Sequence, residues 1–343
     1  MTGTDSHTTV LPLLGAWALD ACPPAERELV EAHLGTCTTC AGESRELREA
    51  AAGIGGEHLR PPAGSLVRLR SAAWARRRPA TATMGYAAPY AAQVSALDLL
   101  LSNLAPGDWE RTAAYGEMTV HDLVGHLAAT DGLVAAGLGL PVEQPVEPGQ
   151  KLAARTAAVL RRERERPAEQ TRQSWRAQAD AMCRFLAGQL APGSVTVVMG
   201  RPFPLVDALL ARAFETWIHG EDIAAAIGHQ VARPLPEHVR PMVEFAVRML
   251  PGFTCRRIAP PHDRYVRLHL TGAGGGVWTV PLDAAAVVPA VVRPAAVVAL
   301  DVVEFCRLAG DRRDPGRIDA EIGGDITLAR EFLATVPAMA AVP

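Results

Sequence analysis

The chain has 343 residues, 49% of them apolar, and a formal net charge of -3. That length exceeds one ordinary core and implies two or three domains, and a charge so near zero excludes a whole-chain electrostatic attraction to nucleic acid or membrane. No apolar run approaches the roughly 20 residues that cross a bilayer, and no N-terminal stretch reads as a signal peptide. The expectation is a cytoplasmic protein with no membrane and no direct nucleic-acid partner. Its six cysteines then read as metal ligands, redox thiols or core residues rather than a disulfide frame.

Residues 1–52 read as a small helical domain. Leu11, Leu14 and Ala18 fall at helical spacing, Pro23-Pro24 interrupts, Glu26–Leu34 forms an amphipathic helix ending at Gly35, and Glu43–Ala52 resumes as helix. Residues 53–89 read as a linker rich in Gly, Pro and Arg. Within it, Ser65–Arg78 has the pattern of one basic amphipathic helix, and Arg60 to Arg78 carries six arginines and no carboxylate.

Residues 90–230 carry a helical period in four places: Ala91–Leu104, Thr119–Gly137, Gln150–Leu190 in one or two pieces, and Val206–Ile227. Long helices joined by loops imply an antiparallel four-helix bundle. In residues 231–343 the period changes. Val266, Leu268 and Leu270 alternate with polar residues, Gly272–Gly276 turns, and Val277, Thr279 and Pro281 follow as a hairpin. Ala299–Ala309 and Thr327–Val336 read as helices. The fold class expected is therefore mainly α, with a small α+β domain at the end.

The first metal candidate is His33-Leu-Gly-Thr-Cys37-Thr-Thr-Cys40. Two thiolates two residues apart can grip one Zn²⁺ from a turn, and His33 on the preceding helix supplies a third corner. Structural zinc takes four N or S ligands, and His7 and Cys22 both stand near enough in sequence to be the fourth. The wider pattern is His7…Leu13-Leu14-Gly-Ala-Trp-Ala-Leu…Pro24-Ala-Glu-Arg…Val30-Glu-Ala-His33-Leu…Cys37-Thr-Thr-Cys40…Glu43. Over roughly the first 50 residues it resembles the zinc-binding anti-sigma-factor family. The resemblance implies the zinc set His7, His33, Cys37 and Cys40, with Cys22 a nearby thiol. It also implies an extracytoplasmic-function sigma factor as partner, held away from polymerase, and in some members release on thiol oxidation.

The second candidate joins His126, in Thr119-Val-His-Asp-Leu-Val-Gly-His126-Leu, to Glu215 and His219, in Arg212-Ala-Phe-Glu215-Thr-Trp-Ile-His219-Gly-Glu-Asp222. Glu215 and His219 are four apart and share a helix face; a histidine from a facing helix would complete a three-ligand site with an open position, as in catalytic zinc. Asp222 is then either an acceptor for a ligand histidine or a surface group. His121 and His229 are expected to be exposed, and Cys183 and Cys306 to lie in the core.

Residues from about Tyr90 to Gly228 resemble the N-terminal domain of the mycothiol-dependent maleylpyruvate isomerase family, a DinB-like metal-binding bundle. Val298-Ala-Leu-Asp-Val-Val-Glu-Phe-Cys-Arg-Leu-Ala-Gly-Asp and Gly323-Gly-Asp-Ile-Thr-Leu-Ala-Arg-Glu-Phe-Leu resemble its sterol-carrier-like C-terminal domain. The resemblance implies His126, Glu215 and His219 as ligands of a divalent metal, zinc fitting best, which activates the thiol of mycothiol. Two departures bear on the substrate: Met118 stands where the family has an aromatic, and His219-Gly-Glu-Asp222 where it commonly has Trp before the Asp. Two functions follow as expectations. One is an anti-sigma-type regulator, thiol- or ligand-responsive through its bundle; the other is a mycothiol-dependent isomerase or S-transferase.

Overall fold

A computed structural model describes residues 3–55, 65, 69, 79–113, 118–147, 149–188, 195–259, 264–286, 288 and 293–341. The chain divides into two compact units, Met1–Arg77 and Arg78–Pro343. Apart from Ser65 and Leu69, the basic helix expected over residues 65–78 lies outside the described residues.

The first unit is helical: α1 (Gly3–Val10), α2 (Leu14–Ala18), α3 (Pro24–Leu34) and α4 (Thr38–Gly55). Pro24 suits the first turn of α3, where its missing N–H would have no partner in any case. The core is Val10, Leu14, Trp17, Cys22, Val30 and Cys40, and the Arg48 guanidinium covers the Trp17 ring at 4.0 Å. Among the described residues this is a small core cluster, and domains of this size usually need a further crosslink.

The second unit opens with α5 (Ala88–Leu101), α6 (Val120–Gly137), α7 (Leu152–Glu163) and α8 (Ala168–Ala187), followed by a hairpin of β1 (Thr196–Met199) and β2 (Arg201–Pro204) and by α9 (Leu205–Ala226). Helices α5, α9, α6 and α8 pack in a ring, each against the next, and α7 lies outside it against α6. The segment read as one or two helices over Gln150–Leu190 is thus two, because Pro167 takes the N-cap of α8 in an extended conformation that helix cannot continue. Thr119 starts α6 with a capping box: its hydroxyl accepts from the Asp122 N–H at 3.1 Å, and its own N–H donates to the Asp122 carboxylate at 3.2 Å. The β1–β2 hairpin escaped the sequence reading. Its strands are four residues each and turn on Gly200, whose φ of 72° favours glycine.

Next come α10 (Pro236–Thr254), β3 (Tyr265–Thr271), β4 (Gly276–Pro281), β5 (Ala296–Asp301), α11 (Val302–Ala309), β6 (Glu321–Gly324) and α12 (Ile326–Thr335). The strand order is β4-β3-β5-β6, with β3 and β5 parallel and the outer pairs antiparallel. The expected hairpin is β3–β4. One helix was not foreseen, and one expectation needs correction. Helix α10 was hidden from the sequence by Pro241 and Pro251, residues that argue against helix interiors. The stretch Ala299–Ala309 is not all helix: Ala299, Leu300 and Asp301 belong to β5, and Asp301 then caps α11 by accepting from the Val303 and Glu304 N–H groups. One continuous core runs through bundle and sheet, from Tyr90 and Leu127 to Val298 and Phe332.

Candidate metal centres

In the first unit, α1 carries His7, the last turn of α3 carries His33, and Cys37 and Cys40 flank the start of α4. One donor atom from each of the four lies within 4.8 Å of all the others. The His7 Nδ1 is 3.6 Å from the Cys37 Sγ and 3.1 Å from the Cys40 Sγ. A sulfur and a nitrogen sharing one tetrahedral zinc are separated by roughly 3.6 Å, so the spacing suits that ion. His33 Nε2 is buried with no hydrogen-bond partner among the described residues, and an orphaned buried nitrogen beside two sulfurs is what a missing cation explains. Cys22 is not in the cluster; its thiol donates to the Leu13 carbonyl in the core.

Electrostatics favour the ligand state of this turn. The Cys40 backbone N–H, then the His7 ring, lower the Cys37 thiol to about 6. Burial raises Cys40, and the adjacent Cys37 raises it further. The two thiols are thus shifted in opposite directions, Cys37 toward the thiolate that a metal needs and Cys40 away from it.

In the bundle, α6 presents His126 to Glu215 and His219, which stand one turn apart on α9. His126 Nε2 is 2.5 Å from Glu215 Oε1, and His219 Nε2 is 3.6 Å from the same oxygen. All three donor atoms lie within 4.8 Å of one another. Burial first, then His219 and Arg212, lower His126 to about 3. Burial likewise lowers His219, against the pull of Asp222. Two neutral imidazoles converging on a carboxylate form a donor set for a divalent cation.

The supporting residues are more extensive than the sequence revealed. Asp222 is buried and accepts from His219 Nδ1 at 3.0 Å, which leaves Nε2 of that ring as the lone-pair nitrogen. Arg312 grips the same carboxylate through Nε at 2.9 Å and Nη2 at 2.5 Å. Burial raises the Asp222 carboxyl, but these hydrogen bonds outweigh it and hold the group ionised. Arg212 binds Glu215 Oε2 and also reaches Asp131 at 2.7 Å, an aspartate that accepts from Tyr90 and Trp175 as well. Arg212 could have been suspected from its position one turn before Glu215. Arg312 stands 90 residues from Asp222, and no sequence signal links them.

Among the other residues singled out, His229 is exposed and Cys183 and Cys306 are buried in the core. His121 corrects the expectation: it is 8% exposed, and its Nε2 meets the Thr171 hydroxyl at 2.9 Å. Its helix face, three residues before Val124, turns to α8 rather than to water.

A cavity of about 220 Å³ has His126, Glu215, His219 and Arg312 in its lining, and Phe214, Ile218, Phe245, Met249 and Phe253 among its apolar walls. The two centres thus differ in kind. The first is a four-residue cluster; the second is a three-residue cluster on an apolar cavity with room for a further ligand.

Residues 90–224 match the family model of the mycothiol maleylpyruvate isomerase N-terminal domain. Residues 8–41 match a zinc-finger family model, which takes in His33, Cys37 and Cys40 and begins one residue after His7. Two uncharacterized proteins of Mycobacterium tuberculosis, from two strains, are each 25% identical over 268 residues, covering 72% of this chain and 95% of their own. A crystal structure of the mycothiol-dependent maleylpyruvate isomerase aligns with a TM-score of 0.47 at 15% identity, covering 66% of this chain and 88% of that one. A mutant form aligns with the same score and identity, covering 69% and 91%. Among the described residues, no helix is long and apolar enough to cross a membrane.

Proposed function

We propose that the chain is an anti-sigma-type transcription regulator whose N-terminal unit binds zinc and sequesters an extracytoplasmic-function sigma factor, and whose bundle makes it responsive to a small thiol. The observation that carries this reading is the cluster of His7, His33, Cys37 and Cys40 in a unit whose core cluster is small among the described residues. Zinc is the natural occupant of an N₂S₂ set, and there it would tie α1, α3 and the start of α4 together. The match of residues 8–41 to a zinc-finger model supports it.

The open three-ligand centre favours a second reading, a mycothiol-dependent isomerase or S-transferase. A divalent cation held by His126, Glu215 and His219 would supply Lewis acidity able to lower a thiol's pKa. Asp222 and Arg212 would hold the ligand side chains in place, and the phenylalanine-lined cavity would exclude water from the reacting groups.

Co-expression of the full chain with sigma factors of its own genome tests the first reading. Co-purification of one sigma factor, lost in Cys37→Ser and kept in His219→Ala, is the expected result. Undiminished sigma binding by Cys37→Ser would overturn a zinc-held interface. Mycothiol-dependent turnover that requires both His126 and His219 would establish the second reading, whether or not sigma binds.

A further inference from the structure

Among the described residues four arginines are buried: Arg155, Arg172, Arg176 and Arg212. Three have carboxylate partners. Arg172 pairs with Asp98 and Glu169, Arg176 with Asp98 and Asp180, and Arg212 with Asp131 and Glu215. Arg155, on α7, is 3% exposed and forms no ion pair among the described residues.

What holds Arg155 is backbone carbonyls. Nε donates to Ala129 at 2.9 Å, Nη1 to Gln144 at 3.2 Å and to Pro145 at 3.0 Å, and Nη2 to Gln144 at 3.2 Å. These bonds use four of the five guanidinium N–H groups and leave one on Nη2. Carbonyl dipoles satisfy hydrogen bonds but do not neutralise a charge, and buried charges are ordinarily paired. Burial accordingly lowers the Arg155 guanidinium, with no carboxylate acting to raise it.

The uncompensated cation borders an open cavity of about 460 Å³ lined by α6, α7, α8 and residues 141–144. This is not the metal cavity. On α6, His126 lines that one and Ala128 lines this one, and two residues are about 200° around a helix. Gly132 leaves room for the Arg155 guanidinium, since a Cβ there would stand 2.6 Å from Nη2. Val142, Val159 and Ala181 supply apolar wall, and Gln178 an amide. The two carboxylates on the lining, Glu143 and Glu163, are both held by Arg166, and Glu143 is also paired with Arg162 on the lining, so two guanidiniums stand against two carboxylates.

We propose that this cavity is a binding site for a small organic carboxylate, its single negative charge countering Arg155 and its apolar body resting against the aliphatic wall. The site is independent of both metal centres and of the function proposed above.

Calorimetric titration of the zinc-loaded full chain with benzoate, and with its neutral analogue benzamide, tests the assignment. Benzoate is expected to bind one per chain and about tenfold or more tighter than benzamide, the scale of one hydrogen bond to a charged group. Arg155→Met should remove that preference and Arg155→Lys should keep part of it. Because Arg155→Met also strips three carbonyls of their donor, a second variant guards against misfolding. Ala177→Phe, at an exposed position on the cavity lining, should weaken benzoate at least tenfold with an unchanged melting temperature. Equal affinities for benzoate and benzamide would overturn the proposal. So would benzoate binding that survives Ala177→Phe undiminished, which would put the carboxylate at the metal centre instead.

Discussion

Asp222 offers the sharpest test of the bundle centre, because it touches a ligand histidine without belonging to the donor set. It is 4% exposed and accepts from His219 Nδ1 through Oδ2, from Arg312 Nη2 through the same oxygen, and from Arg312 Nε through Oδ1. An asparagine can turn its carbonyl to the first two donors, but its NH₂ then faces the Arg312 Nε–H and the negative charge is gone. Partners of metal-binding histidines typically contribute 10–100-fold in metal affinity, about 1.4 to 2.8 kcal/mol. Asp222→Asn, which keeps the contact to His219, should fall near tenfold; Asp222→Ala, which frees the ring and strands Arg312, near a hundredfold. The assay is competition for zinc against a chromophoric chelator, run in a Cys37→Ser background so that only the bundle centre is read. A zinc affinity for Asp222→Ala within twofold of its parent would refute the idea that this carboxylate orients and polarises His219.

Three further expectations follow from the same geometry. In otherwise wild-type protein, Cys37→Ser should lower zinc content from two per chain to one and His219→Ala should do the same, as read by elemental analysis; two zincs retained in either variant would remove that cluster from consideration. Arg212→Met leaves Asp131 and Glu215 without their shared cation, and breaking a buried pair of this kind costs about 3–5 kcal/mol; urea unfolding measures it, and a loss below about 1 kcal/mol would mean that the pairing contributes little. Burial lowers His121, although Asp122, Glu110 and Glu163 pull it upward. With its folded-state value below the unfolded value near 6.5, its contribution to stability is complete above that pH and is lost as the pH falls through the folded-state value. His121→Gln should therefore flatten part of the decline in melting temperature between pH 7 and pH 5, and an identical decline in the variant would show that His121 takes no part.

How much of this was legible in the sequence depends on the range over which each signal acts. Helical periodicity is local, so α5, α6 and α9 were visible from residues such as Leu97, Leu123 and Leu209, and the alternation of Val266, Leu268 and Leu270 marked β3. Prolines and short strands defeat the same reasoning. Pro241 and Pro251 hid α10, and the four-residue strands around Gly200 are too brief for a period to register. The donor residues could be named because their spacings are chemical, CxxC and Glu-xxx-His within one turn and one helix.

What the sequence by itself determined, then, is which side chains are candidate metal donors and which helices carry them. Only the tertiary structure decided their surroundings: that Arg312 secures Asp222 behind His219, that His121 is buried against Thr171, and that Arg155 lies buried without a carboxylate partner among the described residues. The physical reason is the reach of the forces involved. Secondary structure follows from neighbours a few residues away, whereas burial, charge compensation and the pKa of a buried group depend on atoms brought close from distant positions, 90 residues apart for Arg312 and Asp222.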